Sequence, residues 1–423
     1  MSKYQRDPVV IARPLKAVVD EQIEICVENL QPNQPVTLYS QLTTVHGDLW
    51  ESFAHYVSKI DGTVQVLNDK SLGGSYTDCE PMGFIWSMTP APEDTKKRRL
   101  MKTNASAPDV VKVSVCDGHI LERTEVNEIL ASIEVERWYM APGVTRADVR
   151  QSGIVGTLFL PPGPGPFPGI LNILGISGIA DFHAGPLASH GFATLVLAYI
   201  NHEDLTYPAW YFGVTKDYFE KAYNFLSSHP QVVKDRIGIV GLCLGQYFTL
   251  QMGIEFPEIS PKCLVSINGC HFLPVKDMSG FFYLSLLQNK PIDEHFPMST
   301  KDFLLPLPAE TDCMLQVGKL RCPLLLIVGE DDQTMPSVEA SADIEKKMKE
   351  AGNGHLFTKI SYPGAGHLIE TPFCPLNKSS KIRIPYTKTT YHVLWGGEPK
   401  AHAYAQKDSW KHMLEFLKQH LLY

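Results

Sequence analysis

The sequence predicts an α/β protein of two domains. An all-β N-terminal sandwich domain (residues 1–150) is followed by a C-terminal domain (residues 151–423) with a doubly wound, mostly parallel sheet. Three observations lead to this prediction. Short segments rich in Val, Ile and Thr alternate with turn formers in the first third of the chain. From Gly169 onward, apolar strands alternate with helical patterns. The length of 423 residues is enough for two cores.

The N-terminal strands are predicted from alternation and composition. Residues 23–27 read Ile-Glu-Ile-Cys-Val, in which apolar and polar side chains alternate as in a strand with one face in water. Residues 36–39 and 111–115 are similarly rich in Val and Thr, and Asp61-Gly62 and Gly73-Gly74 are typical of turns between such segments. A small sandwich of antiparallel strands is therefore expected.

The C-terminal strands are predicted from short, wholly apolar runs, which are typical of parallel strands covered on both faces. The runs are residues 170–174, 193–197, 237–240 and 324–328. Apolar residues at helical spacing predict two amphipathic helices, near residues 218–226 and 410–421. The Pro- and Gly-rich residues 161–166 predict a turn between strands.

Composition excludes several classes of function. A net charge of −8 and a pI near 6.0 provide no basic surface for nucleic acid, so we expect no nucleic-acid partner. No apolar run is long enough to span a membrane. Sequences typical of a P-loop, of a zinc protease or of a dinucleotide fold are missing, so neither a metal nor a cofactor is expected.

The cysteine pattern and the termini predict the compartment. Nine cysteines occur without a C-x-x-C pair, which favours free thiols in a reducing compartment. The N-terminus lacks the apolar segment of a secretory signal, and the C-terminal Leu421-Leu422-Tyr423 is not a peroxisomal tripeptide. The sequence therefore predicts a cytoplasmic protein.

The strongest chemical signal is Gly241-Leu242-Cys243-Leu244-Gly245, which follows the predicted strand 237–240 and precedes a predicted helix over residues 246–254. This is the pattern of a nucleophile elbow, with cysteine as the nucleophile of an α/β-hydrolase domain. The glycines allow the tight turn, and the positive end of the helix favours a thiolate. The alternative is that Cys243 is a small buried core residue.

A catalytic acid and a histidine should follow the nucleophile in that order, each after a later strand. The run 324–328 leads into Gly329-Glu330-Asp331-Asp332, and a later Gly-rich segment ends in His367. We predict His367 as the general base and Asp332, in preference to Asp331, as the acid that orients it. The triad is thus Cys243, Asp332 and His367.

The oxyanion hole requires backbone N–H groups that point at the developing negative charge. The residue after the nucleophile supplies one such group, which is the N–H of Leu244. The second should come from the loop after an early strand, Gly175-Ile176-Ser177-Gly178, in which Ile176 is the preferred candidate. A purely structural turn is the alternative for this loop.

Several long strings resemble those of one enzyme family. They include Ser71-Leu72-Gly73-Gly74-Ser75-Tyr76, Glu136-Arg137-Trp138-Tyr139-Met140-Ala141-Pro142-Gly143-Val144, Tyr362-Pro363-Gly364-Ala365-Gly366-His367-Leu368-Ile369-Glu370 and Trp395-Gly396-Gly397. The chain is similar in these strings to the bile acid-CoA:amino acid N-acyltransferases and the type I acyl-CoA thioesterases. The resemblance implies a β-sandwich followed by an α/β-hydrolase domain, and it assigns Cys243, Asp332 and His367 the same three roles.

The resemblance also implies the reaction. Members that are thioesterases have serine as nucleophile and the amino acid acyltransferases have cysteine, so Cys243 favours transfer of an acyl group from acyl-CoA to the amine of taurine or glycine. CoA then enters as part of the substrate. Two alternatives remain, an acyl-CoA thioesterase and a non-enzymatic acyl-CoA binding protein. A resemblance to dienelactone hydrolases covers only the C-terminal half.

Two further expectations concern the pocket and the compartment. The aromatic and apolar residues 280–308 are either a lid over an acyl pocket or ordinary core packing. The family resemblance makes a peroxisomal location an alternative to the cytoplasm.

Overall fold

The structure is a computed structural model, which describes residues 6–94, 96, 98–126, 128–175, 180–200, 202–205, 214–273, 296–308, 314–384 and 389–422. It divides into two compact units. The first comprises residues 1–100, 107–139 and 371–376, and the second comprises residues 101–106, 140–370 and 377–423. The predicted boundary at residue 150 is a single cut, whereas these units interleave along the chain.

Strands are the main regular elements among the described residues of the first unit. A short helix, α1 (Gly83–Trp86), accompanies β1 (Val9–Arg13), β2 (Lys16–Val18), β3 (Glu24–Glu28), β4 (Pro35–Thr43), β5 (Leu49–Val57), β6 (Val64–Gln65), β7 (Thr89–Pro90), β8 (Asp109–Asp117) and β9 (Ile129–Trp138). One sheet has the order β1-β3-β6, and the other has the order β2-β9-β8-β4-β5-β7.

The alternation that predicts these strands reflects their burial. In β3, Ile25 and Val27 are 2% and 1% exposed, whereas Glu24 and Glu28 face solvent. Val111, Val113 and Val115 of β8 are likewise completely buried. Apolar side chains on one face of such strands therefore contribute to the core, as expected for a half-buried antiparallel sheet, whereas β4 and β5 are buried on both faces.

The second unit is built on an eight-stranded sheet of order β10-β11-β13-β12-β14-β15-β16-β17. Its strands are β10 (Thr145–Gln151), β11 (Ile154–Leu160), β12 (Phe167–Ile173), β13 (Ala193–Ala198), β14 (Val232–Leu242), β15 (Cys263–Ile267), β16 (Leu324–Gly329) and β17 (Phe357–Tyr362). Strands β10 and β11 are antiparallel to their neighbours and the others are parallel. A hairpin of β18 (Ser379–Ile384) and β19 (Thr389–Leu394) lies outside this sheet.

The described helices that accompany the sheet are α2 (Ala184–Ser189), α3 (Lys216–Ser227), α4 (Leu244–Glu255), α5 (Ser337–Glu350) and α6 (Pro399–Leu421). Every residue of β13 and β16 is buried, as expected for strands covered on both faces. The predicted fold class, an α/β-hydrolase sheet preceded by β-rich sheets, is confirmed. Because β12, β14, β15, β16 and β17 are parallel, the loops at their carboxyl ends gather at one edge, where such sheets bind ligands.

Candidate active site

Cys243 lies between β14 and α4, and its backbone conformation is unusual. Its φ of 61° and ψ of −124° are rarely adopted by residues other than glycine. Strain of this kind persists only where the surrounding structure imposes it, and it is concentrated at functional sites. The Cys243 N–H donates to the carbonyl oxygen of Ile267 at 2.9 Å, and α4 begins at the next residue. These contacts fix Cys243 at the carboxyl edge of the sheet.

The glycines on either side of Cys243 are required for close packing. A Cβ atom on Gly245 would collide with the carbonyl oxygen of Ile173 in β12. A Cβ atom on Gly241 would collide with the backbone of Gly245 and with the hydroxyl of Thr249 in α4. Helix α4 therefore starts directly against the sheet, which only glycine permits at these two positions.

His367 and Asp332 form a buried pair. His367 Nδ1 lies 2.9 Å from Asp332 Oδ2, and the two side chains are 0% and 1% exposed. Asp332 Oδ1 accepts the backbone N–H groups of Thr334 and Met335 at 2.8 and 2.9 Å, and Oδ2 accepts the hydroxyl of Ser337 at 2.5 Å. The carboxylate therefore has one orientation. Donation from Nδ1 leaves Nε2 of the neutral ring as a proton acceptor.

Cys243 lies close enough to His367 to influence its charge. Burial lowers the pKa of His367, but the negative charges of Asp332 and Cys243 outweigh it and raise the pKa. Nε2 is buried and makes no hydrogen bond of standard geometry within the described parts of the chain. Catalytic hydrogen bonds often become well aligned only when substrate binds. The structure thus brings together the three side chains that the sequence predicts as a triad.

Asp331 is adjacent in sequence but has different partners. Its Oδ2 accepts the backbone N–H of Gly397 at 2.7 Å, and its Oδ1 accepts the side-chain amide of Gln333 at 2.8 Å. A Cβ atom on Gly396 would collide with the backbone carbonyl oxygen of Asp331. Asp331 therefore holds the Trp395-Gly396-Gly397 segment, whereas Asp332 contacts His367.

One predicted oxyanion donor lies at the start of a helix. Leu244 is the first residue of α4, so its N–H has no acceptor within the helix. Ile176, the other predicted donor, lies outside the described residues. The preceding Gly175 is described, and a Cβ atom there would lie 2.9 Å from Cys243 Cβ and 3.2 Å from Cys243 Sγ. Gly175, just after β12, therefore lies beside the sulfur atom.

Both halves of the chain match one family. Residues 20–151 match the family described as "Acyl-CoA thioester hydrolase/BAAT N-terminal region", and residues 214–423 match "BAAT / Acyl-CoA thioester hydrolase C terminal". The bile acid-CoA:amino acid N-acyltransferase of Mus musculus is 38% identical over 422 residues, which cover 97% of each chain. The chain belongs to the acyl-CoA thioester hydrolase/BAAT family.

Other members of the acyl-CoA thioester hydrolase/BAAT family are nearly as similar. The bile acid-CoA:amino acid N-acyltransferase of Homo sapiens is 35% identical over 427 residues, covering 97% of each chain. The peroxisomal succinyl-coenzyme A thioesterase of Mus musculus is 36% identical over 416 residues, covering 95% of this chain and 94% of the relative. The predicted family resemblance is confirmed, and it extends over both halves, unlike a resemblance to dienelactone hydrolases.

Three further residues support the site of this family member, and no sequence pattern predicts their roles. The Trp395 ring stacks on His367, with centroids 5.7 Å apart and planes 14° apart. Asn268 follows β15 and His402 lies in the first turn of α6, and both side chains bind the backbone around His367. Trp395 occurs in a string that indicates the acyl-CoA thioester hydrolase/BAAT family, but only the folded chain shows what it contacts.

The predicted lid is described only in part. Of the predicted residues 280–308, residues 280–295 lie outside the described residues. In the remainder, the Thr300 N–H donates to the carbonyl oxygen of Gln333 at 2.9 Å, and the Thr300 hydroxyl donates to that of Thr334 at 2.9 Å. This segment therefore contacts the loop that carries Asp332.

Two further kinds of feature are absent from the described residues. None of their helices combines the length and apolar character needed to cross a membrane. Nor do their His, Cys, Asp and Glu side chains form a group of three that could hold a metal ion.

Proposed function

We propose that this chain transfers an acyl group from an acyl-CoA to the amine of taurine or glycine through a thioester on Cys243. His367 serves as general base, Asp332 orients it, and the N–H groups of Leu244 and Ile176 stabilise the oxyanion. The observation that carries the proposal is a cysteine at the strained elbow, close to a buried His–Asp pair. Two relatives that bear the N-acyltransferase name support it.

The first half of the proposed reaction forms the acyl-enzyme. The Cys243 thiolate attacks the carbonyl carbon of the acyl-CoA thioester, and the negative charge moves to the carbonyl oxygen. The oxyanion collapses and breaks the bond to the CoA sulfur, which leaves as a thiolate and takes a proton from the His367 imidazolium. The products of this half are free CoA and a thioester on Cys243.

The second half transfers the acyl group to the amine. The nitrogen of taurine or glycine attacks the thioester carbon, and His367 Nε2 accepts a proton from it. Cleavage of the bond to the Cys243 sulfur then releases the amide and restores the thiolate. His367 is neutral after the first half because it has given its proton to CoA, so it begins the second half as a base.

A cysteine nucleophile favours an amine acceptor. An acyl-cysteine is a thioester, as reactive as the substrate from which it came, and amines attack thioesters readily. An acyl-serine is an ester, which amines attack poorly and which requires activated water. Replacing Cys243 with serine therefore should shift the reaction from amide to free acid.

The second candidate function is hydrolysis of acyl-CoA to free acid and CoA. The observation that favours it is that several relatives carry the thioesterase name, including one 36% identical over 95% of this chain. The same three side chains would serve this reaction, with water in place of the amine. A third hypothesis, an acyl-CoA binding protein, needs no reactive thiol and predicts unchanged acyl-CoA binding after Cys243→Ala.

The deciding experiment is mass spectrometry of purified protein with a bile-acyl-CoA or a long-chain acyl-CoA, with and without taurine and glycine. Amide that forms only with the amine, together with an acyl adduct on Cys243, supports the transferase. Free acid formed at a rate independent of amine supports the thioesterase. If neither amide nor free acid forms with either acyl-CoA, both enzymatic proposals are contradicted.

Matched variants separate the roles of the thiol. Cys243→Ala should abolish both products and the acyl adduct. Cys243→Ser replaces the sulfur nucleophile at the elbow with an oxygen nucleophile, and it should raise the ratio of free acid to amide. Cys270→Ala is the control, since Cys270 is a buried thiol with no proposed role, and it should leave the product ratio unchanged.

We further propose that the reaction needs no cofactor and takes place in the cytoplasm. All eight cysteines in the described residues are free thiols, which suits a reducing compartment. The peroxisome is the alternative because one relative carries that name. Fractionation of cells that produce the untagged chain would distinguish the two.

A further inference from the structure

The loop that carries His367 (residues 363–368, here the His367 loop) is held by groups distant in sequence. The His367 N–H donates to the carbonyl oxygen of Trp395 at 2.8 Å. Four other backbone groups next to the ring bond to two buried side chains, those of Asn268 and His402. Both side chains are 1% exposed. Buried backbone groups must be paired, and here side chains replace secondary structure.

His402 binds the His367 loop on both sides of the catalytic ring. Its Nδ1 accepts the N–H of Gly366 at 3.1 Å, and its Nε2 donates to the carbonyl oxygen of Leu368 at 2.9 Å. Only a neutral imidazole can accept at one nitrogen and donate at the other. Burial lowers the pKa of His402 to about 4, so the ring is neutral at physiological pH. These two bonds also assign its tautomer.

Asn268 joins the same loop to the strand that precedes the acid. Its Nδ2 donates to the carbonyl oxygens of Gly366 and His367 at 3.0 and 2.8 Å, and its Oδ1 accepts the N–H of Gly329 at 2.6 Å. Gly329 ends β16, three residues before Asp332. One amide thus sets the spacing between the loops that carry the base and the acid.

We propose that Asn268 and His402 are positioning residues, which hold the His367 loop where its ring meets both Asp332 and Cys243. The proposal rests on the proposed function in that the triad must be catalytic. Displacement of a reacting group by about 1 Å can cost roughly 100-fold in rate. The three hydrogen bonds of Asn268 and the two of His402 resist such displacement. Both residues act on the backbone of the His367 loop and not on the atoms of the triad that would react with substrate.

A matched pair of variants at position 402 tests the proposal. His402→Leu removes both hydrogen bonds, whereas His402→Gln retains an acceptor and a donor at the end of the side chain. The protein is labelled with ¹⁵N-histidine, and the pKa of the His367 ring is measured by NMR titration. The His367 signal is the one that is missing from the spectrum of His367→Gln. In parallel, kcat and KM are measured with the acyl-CoA that the unaltered protein consumes.

We expect His402→Leu to lower kcat about 100-fold and to change KM little. The pKa of His367 should fall towards its ordinary value, because the ring no longer lies at its present distance from Asp332. His402→Gln should recover most of kcat and of the raised pKa. A residue that only stabilises the fold would alter thermal unfolding in both variants without moving the pKa of His367.

The proposal is wrong if His402→Leu unfolds cooperatively yet keeps both the raised pKa of His367 and nearly unchanged kcat. Should His402→Leu not fold, Asn268→Gly decides by the same two measurements. Glycine tolerates the φ of 45° at this position while removing the amide. An unchanged pKa of His367 in that variant would equally contradict the proposal.

The titration separates this proposal from the proposed function. It needs no substrate, so it still decides the roles of Asn268 and His402 if the unaltered protein forms neither amide nor free acid. In that case the acyl transfer is wrong, whereas a fall in the pKa of His367 in His402→Leu would still support the positioning role.

Discussion

Replacing Asp332 with asparagine should nearly abolish acyl transfer while leaving the fold intact. Asparagine has the same shape as aspartate, and its oxygen can still accept the backbone N–H groups of Thr334 and Met335. What changes is the atom that faces His367 Nδ1, which lies 2.9 Å away. The amide carries no charge, and its NH₂ group cannot accept the proton on Nδ1.

The size of the loss follows from the geometry of the buried pair. Asp332 raises the pKa of His367 against burial, which lowers it. Without that charge the ring favours its neutral form, and with an amide NH₂ beside Nδ1 it favours the tautomer that carries the proton on Nε2. A neutral Nε2–H cannot accept a proton from the amine. Corresponding substitutions in other triads cost about 10⁴ in kcat, or about 5 kcal/mol.

Asp331→Asn is the matched control. It removes the same charge one residue earlier, where the carboxylate binds the backbone N–H of Gly397 and the amide of Gln333 but not His367. Its asparagine oxygen can keep the bond to Gly397. We expect kcat within about tenfold of the unaltered protein, since no triad member loses its partner.

The assay is chromatography with mass detection of amide and free acid, under saturating acyl-CoA and amine, with thermal unfolding of each variant as a test of folding. The reasoning is refuted if folded Asp332→Asn keeps kcat within tenfold of the unaltered protein. It is also refuted if Asp331→Asn loses as much activity as Asp332→Asn, because the adjacent carboxylate would then be equally important.

Three further predictions concern packing and pH. Gly175→Ala should slow acylation of Cys243 about tenfold with little change in melting temperature, because the added Cβ would lie 3.2 Å from the sulfur. The acyl-enzyme is measured over time by mass spectrometry. An unchanged rate of acylation would mean that Gly175 and its neighbours move away from the sulfur. Gly245→Ala should lower the free energy of unfolding in urea by about 3 kcal/mol or prevent folding, and a stable variant would mean that α4 can shift from the sheet. Burial lowers the pKa of His271 and of His402 in the folded chain to about 4. Between about pH 6.5 and 4 the unfolded chain therefore binds more protons than the folded chain, so the free energy of unfolding should decrease as the pH falls through this range. Urea titrations at pH 7 and 5 should show a smaller fall in His402→Gln, and an identical fall would assign the acid sensitivity to other groups.

The strands of the large sheet are predictable wherever burial is complete. Residues 193–197 and 324–328 are predicted as strands, and the structure has strands at Ala193–Ala198 and Leu324–Gly329. Strand β14 begins earlier than the predicted run 237–240, at Val232, because the polar residues 234–236 extend past the buried part of the sheet. Apolar runs therefore indicate where a strand is covered, not where it ends.

Strand β15 illustrates the opposite case. The segment Cys263–Ile267 is completely buried and lies between β14 and β16, yet it is short and contains a cysteine and a serine. Nothing in these five residues distinguishes a central strand from part of a loop. The segment becomes a strand because it pairs with β14 on one side and β16 on the other. A local sequence pattern carries no information about such pairing with distant segments.

The site shows the same division between local and distant information. The candidates Cys243, Asp332 and His367 follow from short motifs at the ends of strands. The positions of Asn268 and His402 do not, since Asn268 binds a loop almost one hundred residues later and His402 lies within an ordinary amphipathic helix. Side chains that support a loop need only the right polar atoms in the right place, and many sequences provide that.

The position of His402 has a consequence for how the protein is made. A ribosome synthesises this chain from the N-terminus, so the elbow with Cys243 emerges first, the His367 loop later, and the helix that contains His402 after both. Until that helix docks, the His367 loop lacks two of its hydrogen bonds. If His402 positions the base as proposed, a nascent chain with a formed sheet should gain full activity towards acyl-CoA only after this helix docks.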